Sequence, residues 1–201
     1  MAIMRSLPNM VVICPADSIE AKKATLAMAR HPKPNYMRLS REKVPVITTE
    51  QTPFGIGKAQ VVYTGSDPQG SDPKQKDNVA IIACGQMVYR ALLAAKELEL
   101  HKISVRVINC HTIKPLDKET LLKAAEECGA IVTVEEHQVN GGLGSAISEL
   151  VSQNFPVPIK IIGIEDHFGE SGEPDELLEK FGLTKETIIQ AVTSVLRMKG
   201  K

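Results

Sequence analysis

Tryptophan is absent from this sequence, and aromatic residues make up only 3% of it. Surfaces that stack nucleobases need aromatic side chains, so the composition argues against a single-strand nucleic-acid binder. An excess of either charge is missing as well. Lysine plus arginine and aspartate plus glutamate each number 24, for a formal net charge of zero. Such a chain has no electrostatic pull toward nucleic acid or an anionic membrane surface. No apolar run approaches the ~20 residues of a membrane span. The opening MAIMRSLPNM lacks the apolar stretch and small-residue cleavage site of a signal peptide. HExxH, GxSxG and GxxxxGK(S/T) are all absent, which removes support for a zinc hydrolase, a nucleophile elbow and a P-loop. The four cysteines (Cys14, Cys84, Cys110 and Cys128) form no CxxC pair. Three of them close apolar runs, and the set reads as reduced, buried thiols of a cytoplasmic protein.

What is present is a regular alternation. The 201 residues, 43% hydrophobic, suffice for one good core or two small ones. Residues 1–45 read as strand, helix, strand: VVIC, then PADSIEAKKATLAMAR, then NYMRLS. Asp17 and Glu20 have capping-box spacing, and Ile19, Ala21, Leu26, Ala27 and Met28 mark a rough apolar helical face. Residues 46–78 read as a polar connector holding one short strand, QVVYT, and a Gly, Pro, Ser and Asp-rich surface loop, GSDPQGSDPKQKDN. From residue 79 to 201 apolar strands (VAIIAC, SVRVINC, AIVTVEE, IKIIGI) alternate with amphipathic helices, and two helices end the chain. Asp117 caps one helix and Gly129 closes it. Strands that are apolar throughout belong in a parallel sheet covered on both faces. The expected fold is therefore three-layer α/β.

Several stretches carry polar groups where such folds place ligands. VTVEEHQVNGGLGSA, residues 132–146, runs from strand through glycines into a helix. It begins like GxGxxG, and Glu165 and Asp166 stand where a ribose-binding acid would, but Ile147 replaces the third glycine. The turn is also the third of its kind in the chain rather than the first. The plainer reading is that these glycines allow positive φ and close helix–strand packing; an exposed helix N-terminus there would also offer an unspecific anion site. Glu135, Glu136 and His137 are either acid–base groups at a strand end or a polar surface. In RLSREKVP, residues 38–45, Arg38 and Arg41 flank a strand end, where a guanidinium fork suits a phosphate or a surface ion pair. HFGESGEPDELLEKFG, residues 167–182, reads as a polar loop with a helix cap.

Taken in order, LPNMVVICPADSIEA, YMRLSRE, TIKPLD, VTVEEHQVNGGLGSA and FGESGEPDELLEKFGLT resemble the C-terminal part of transketolase over nearly the whole chain. The pattern is similar above all to the C-terminal subunit of split transketolases. 1-Deoxy-xylulose-5-phosphate synthase and the β subunit of 2-oxo acid dehydrogenases share parts of it. The resemblance implies a remnant of the thiamine-diphosphate pyrimidine-binding domain over 1–45, a linker over 46–78 and the transketolase C-terminal domain over 79–201. It also implies transfer of a two-carbon ketol unit between phosphorylated sugars. Thiamine diphosphate serves there as electron sink and Mg2+ clamps its diphosphate, both held in the assembled enzyme and neither by this chain alone. The family's activating glutamate, ring-holding aromatics and substrate loop lie upstream of LPNMVV, and Met1 falls in what resembles the middle of a family helix. The expectation is a chain inactive alone, partnered by an N-terminal transketolase subunit or domain and by further copies of itself. Arg41 matches the family's sugar-phosphate arginine, Arg38 supports it, and His167 is a candidate for the substrate channel. No catalytic, cofactor-binding or metal-ligating residue is assigned, and His137 and the glycine turn stay structural. A non-catalytic assembly or regulatory module, and a part of another thiamine enzyme, are the alternatives.

Overall fold

The computed structural model describes residues 1–65 and 77–200. Most of the connector loop read from GSDPQGSDPKQKDN lies outside them. A short helix α1 (Ala2–Ser6) precedes β1 (Val11–Ile13), α2 (Ser18–Arg30) and β2 (Asn35–Met37). β3 (Gln60–Thr64), β4 (Val79–Ala83), α3 (Met87–Leu100) and β5 (Val105–Asn109) follow. Then come β6 (Thr112–Lys114), α4 (Lys118–Cys128), β7 (Ile131–Gln138), α5 (Leu143–Asn154), β8 (Ile159–Ile164), α6 (Pro174–Lys180) and α7 (Lys185–Lys199).

The main sheet has the order β3-β5-β4-β7-β8. β5, β4, β7 and β8 run parallel, and β3 closes one edge antiparallel to β5. β4 shows why its strand is apolar at every position. Val79, Ile81 and Ala83 face a core shared with α3 and α7, while Ala80, Ile82 and Cys84 face one shared with α4 and α5. Each fully buried isoleucine contributes ~1.5–3 kcal/mol of apolar transfer. The three-layer α/β fold is thus the fold of this region. The QVVYT strand within residues 46–78 is β3, a member of this sheet.

The first region has its own small sheet, β2-β1-β6. β1 pairs parallel with β2, as its strand–helix–strand pattern requires, and antiparallel with β6 from the second region. β6 and α1 carry no period long enough to be read from sequence.

The expected apolar face of α2 needs correcting. Leu26 is 51% exposed, and the buried positions are Glu20 and Ala24. The cause is polar. The Glu20 carboxylate accepts from Ala16 N at 2.6 Å and from Asn109 Nδ2 at 2.8 Å, which turns the 20–24–28 stripe inward. Ala24 and Met28 then pack on Val11 and Ile13. Asp17 caps the helix as expected, its Oδ1 accepting from Glu20 N at 2.9 Å. Its second oxygen accepts from Ile47 N and Thr48 N, so one aspartate fixes both the helix start and the segment leaving the first region. On α4 the Asp117 cap and the left-handed Gly129 stand as expected. All four cysteines are free and buried.

Candidate functional site

The carboxyl ends of β1, β4 and β7 converge where the two regions meet. Gly85 N, just after β4, donates to Cys14 O, just after β1, at 3.1 Å. Gly85 has φ +59, and a Cβ there would lie 2.9 Å from Cys14 Sγ, so the junction needs a glycine. A hydrogen bond to Cys14, together with burial, holds the Cys84 thiol well above its ordinary value. The same hydrogen bond, with the Arg38 charge nearby, lowers Cys14, and both thiols are buried.

Beside them lies the strand end of β7. Glu135 is fully buried, and its carboxylate accepts from Leu143 N at 2.7 Å and from Gly144 N at 2.8 Å. Burial pushes its carboxyl up to about 7. The anion site read at the start of α5 is therefore filled by the chain's own side chain. The glycines make room for it: a Cβ at Gly142 would sit 2.0 Å from Glu135 Oε2, and one at Gly144 would sit 2.5 Å from Ile161. Only Gly141 of this turn needs its positive φ, +81. A dinucleotide has no place here. Asp166, half of the suggested ribose acid, instead accepts from Gln138 Nε2 at 3.1 Å.

His137 is half-buried. Its Nδ1 donates to Gln138 O at 2.7 Å, and its Nε2 faces the Met1 nitrogen at 2.9 Å. Burial lowers its pKa. Both ring nitrogens thus face hydrogen-bonding groups.

Glu136 points the other way, to an open cleft of about 420 Å³. Its Oε1 lies 3.4 Å from Arg38 Nη2, and Gln86 Nε2 donates to its Oε2. Arg41 lines the same cleft with a side chain 97% exposed, and among the described residues its ion pair is with Glu42 at 3.8 Å. The opposite wall is the loop around Ser171, together with Leu177 and Phe181. The cleft thus unites the arginine segment of the first region with the FGESG loop of the second. The third sequence candidate, His167, is not brought into it. It is exposed, stacks on Phe181 with ring centroids 5.0 Å apart, and borders a separate depression beside β8.

Residues 70–188 match the family model described as "Transketolase, C-terminal domain". The chain belongs to this transketolase family.

A 6-deoxy-6-sulfo-D-fructose transketolase subunit from Clostridium sp. is 42% identical over 98% of this chain and 58% of its own length. The putative transketolase C-terminal section of Methanocaldococcus jannaschii is 36% identical, again over 98% and 58%. A 1-deoxy-D-xylulose-5-phosphate synthase from Symbiobacterium thermophilum is 37% identical over 97% of this chain and 29% of its own. Among solved structures, a split gene transketolase in an inactive beta4 tetramer superposes with a TM-score of 0.90 at 40% identity. That match covers 98% of this chain and 61% of the other. The chain therefore spans about three-fifths of these transketolase subunits.

Transketolase cofactor chemistry calls for a metal-clamped diphosphate. No group of three His, Cys, Asp or Glu residues could hold a metal ion among the described residues. The described residues thus present no such clamp. Sequence reasoning missed Gln86, Ser40 and Glu170 as cleft residues. Gln86 stands just before α3 and left no local signal, because its Nε2 donates to Glu136 on another element.

Proposed function

We propose that this chain is a component of a transketolase, in which it joins an N-terminal subunit or domain and contributes Arg41 to the binding of sugar phosphates. The observation that carries this reading is the position of Arg41, an almost wholly exposed guanidinium in a cleft walled by both regions of a transketolase-family chain. A guanidinium with one loose ion pair is available to a phosphate, which it meets by paired, charge-assisted hydrogen bonds. The acids around it are already engaged: Glu136 by Arg38 and Gln86, and Glu170 by Lys180 at 2.5 Å.

The assembled enzyme would transfer a two-carbon ketol unit between phosphorylated sugars. Thiamine diphosphate would supply the carbanion chemistry, with Mg2+, in a site built largely outside this chain. The isolated chain would be inactive. Homo-oligomers are proposed on the strength of the tetrameric neighbour, and a cytoplasmic setting on the four free thiols. No described helix is long and apolar enough to cross a membrane.

The deciding experiment reconstitutes the full-length protein with an N-terminal transketolase subunit and compares wild type with Arg41→Ala. The expected result is a KM for a phosphorylated ketose raised about 10- to 150-fold, the equivalent of about 1.5–3 kcal/mol. An unchanged KM removes Arg41 from the site. Ketol transfer by the isolated 201-residue chain would overturn its assignment as an incomplete component. The 37% identity to a 1-deoxy-D-xylulose-5-phosphate synthase supports a second reading, a component of that enzyme. Profiling ketose phosphates against pyruvate as two-carbon donors separates the two.

A further inference from the structure

The arginine segment has little to hold it in place. Arg38 N donates to Ile13 O at 2.9 Å, and the next main-chain anchor is Ile47 N on Asp17. Between these points residues 39–46 form neither helix nor strand, and no hydrogen bond to a described residue fixes them. Ordering such a segment on binding costs conformational entropy. Arg41 therefore needs a fixed point nearby. The one on offer is the Arg38 side chain three residues before it, which lies beside Cys14 of its own region and is paired from the other. Glu136 of β7 pairs with it through Oε1, while Oε2 takes the Gln86 amide.

We propose that Glu136, seconded by Gln86, is the positioning residue for the Arg38–Arg41 segment. It clamps Arg38 from the C-terminal domain and thereby aims Arg41 into the cleft. The inference rests on the reading of Arg41 as the sugar-phosphate ligand. It gives the C-terminal domain a direct part in substrate affinity: the position of a first-region arginine is set by a second-region carboxylate.

The test uses the full-length protein reconstituted with an N-terminal transketolase subunit. A phosphorylated ketose and hydroxypyruvate, a donor without phosphate, are compared. Glu136→Gln should raise KM for the phosphorylated donor about three- to fivefold, as loss of a partly exposed ion pair does. Its kcat should hold, as should KM for hydroxypyruvate. Glu136→Asp should recover part of the loss, and Gln86→Ala should reproduce it more weakly. Gln86→Ala also keeps the proposal testable if the Glu136 variants fail to assemble. An equal rise in KM for both donors would mark Glu136 as merely structural and overturn the proposal. The Arg41→Ala control separates the two claims. If it affects the phosphorylated donor and Glu136→Gln does not, the clamp is wrong and the phosphate site stands. If Arg41→Ala affects neither donor, the site itself is wrong.

Discussion

Every residue of β4, in the middle of the five-stranded sheet, is buried under helices of its own region. β1, in the middle of the three-stranded sheet, is buried by both regions. Val11 and Ile13 pack on α2, but Val12 and Cys14 belong to the core of α4 and α5, and β6 supplies one of its two pairing partners. The small sheet's own cluster contains only three fully buried residues, Val11, Ile13 and Ala24. The second region thus makes most of its core from its own residues, with Val12, Cys14 and Ala16 added from the first, whereas the first completes its core by leaning on the second. A short chain segment cannot bury enough apolar surface to offset its conformational entropy unless a neighbour covers one face.

The strongest way to break this comparison is to empty each core in turn. Ile82→Ala should cost about 2–5 kcal/mol and lower amide-exchange protection in both sheets, because the first region depends on the second. Ile13→Ala should cost a similar amount locally and speed exchange in β1 and β2, leaving β4 protected. Loss of β4 protection in Ile13→Ala would show a single cooperative unit and end the distinction. A smaller effect, about 1–3 kcal/mol, is expected for Gly144→Ala, whose new methyl meets Ile161 and Thr133. Urea denaturation should show that loss, and a neutral result would mean that the α5–β8 contact yields.

Both regions also hold a buried carboxyl, which sharpens the comparison through pH. Burial raises Glu20 and Glu135 from 4.5 to about 7. The folded state then holds these protons more tightly than the unfolded state does. Each carboxyl accordingly contributes stability that is present below about 4.5 and is lost as pH rises toward about 7. Buried His111, lowered to about 4, acts oppositely by losing stability as pH falls from 6.5. Chemical denaturation across this range should show a flatter profile for Glu20→Gln in the first region and for Glu135→Gln in the second. If only one variant flattens the curve, the regions differ in how they tolerate a buried charge. The least effect, within about 0.5 kcal/mol, is expected for Leu26→Ser on the exposed side of α2. A larger loss in thermal melts of the assembled protein would show that a partner covers that face.

Much of this architecture was legible from residues in order. The alternation after residue 79, the caps at Asp17 and Asp117, and the stop at Gly129 act over three or four positions. The sequence states such short-range signals directly, and they determined the three-layer fold and the family. Hydrophobicity alone does not locate the buried face of α2, because a hydrogen-bonded glutamate turns the helix. Arg38 and Arg41 were recognised from a motif. Their cleft was not, because its other wall comes from residues 170–172.

What only the tertiary structure decided is which distant groups meet. Nothing local foretells that Glu135 fills the start of α5, that β6 crosses to β1, or that Glu136 reaches Arg38. Strand order and twist bring these side chains together, and a buried polar group takes whichever partner that topology places within bonding distance.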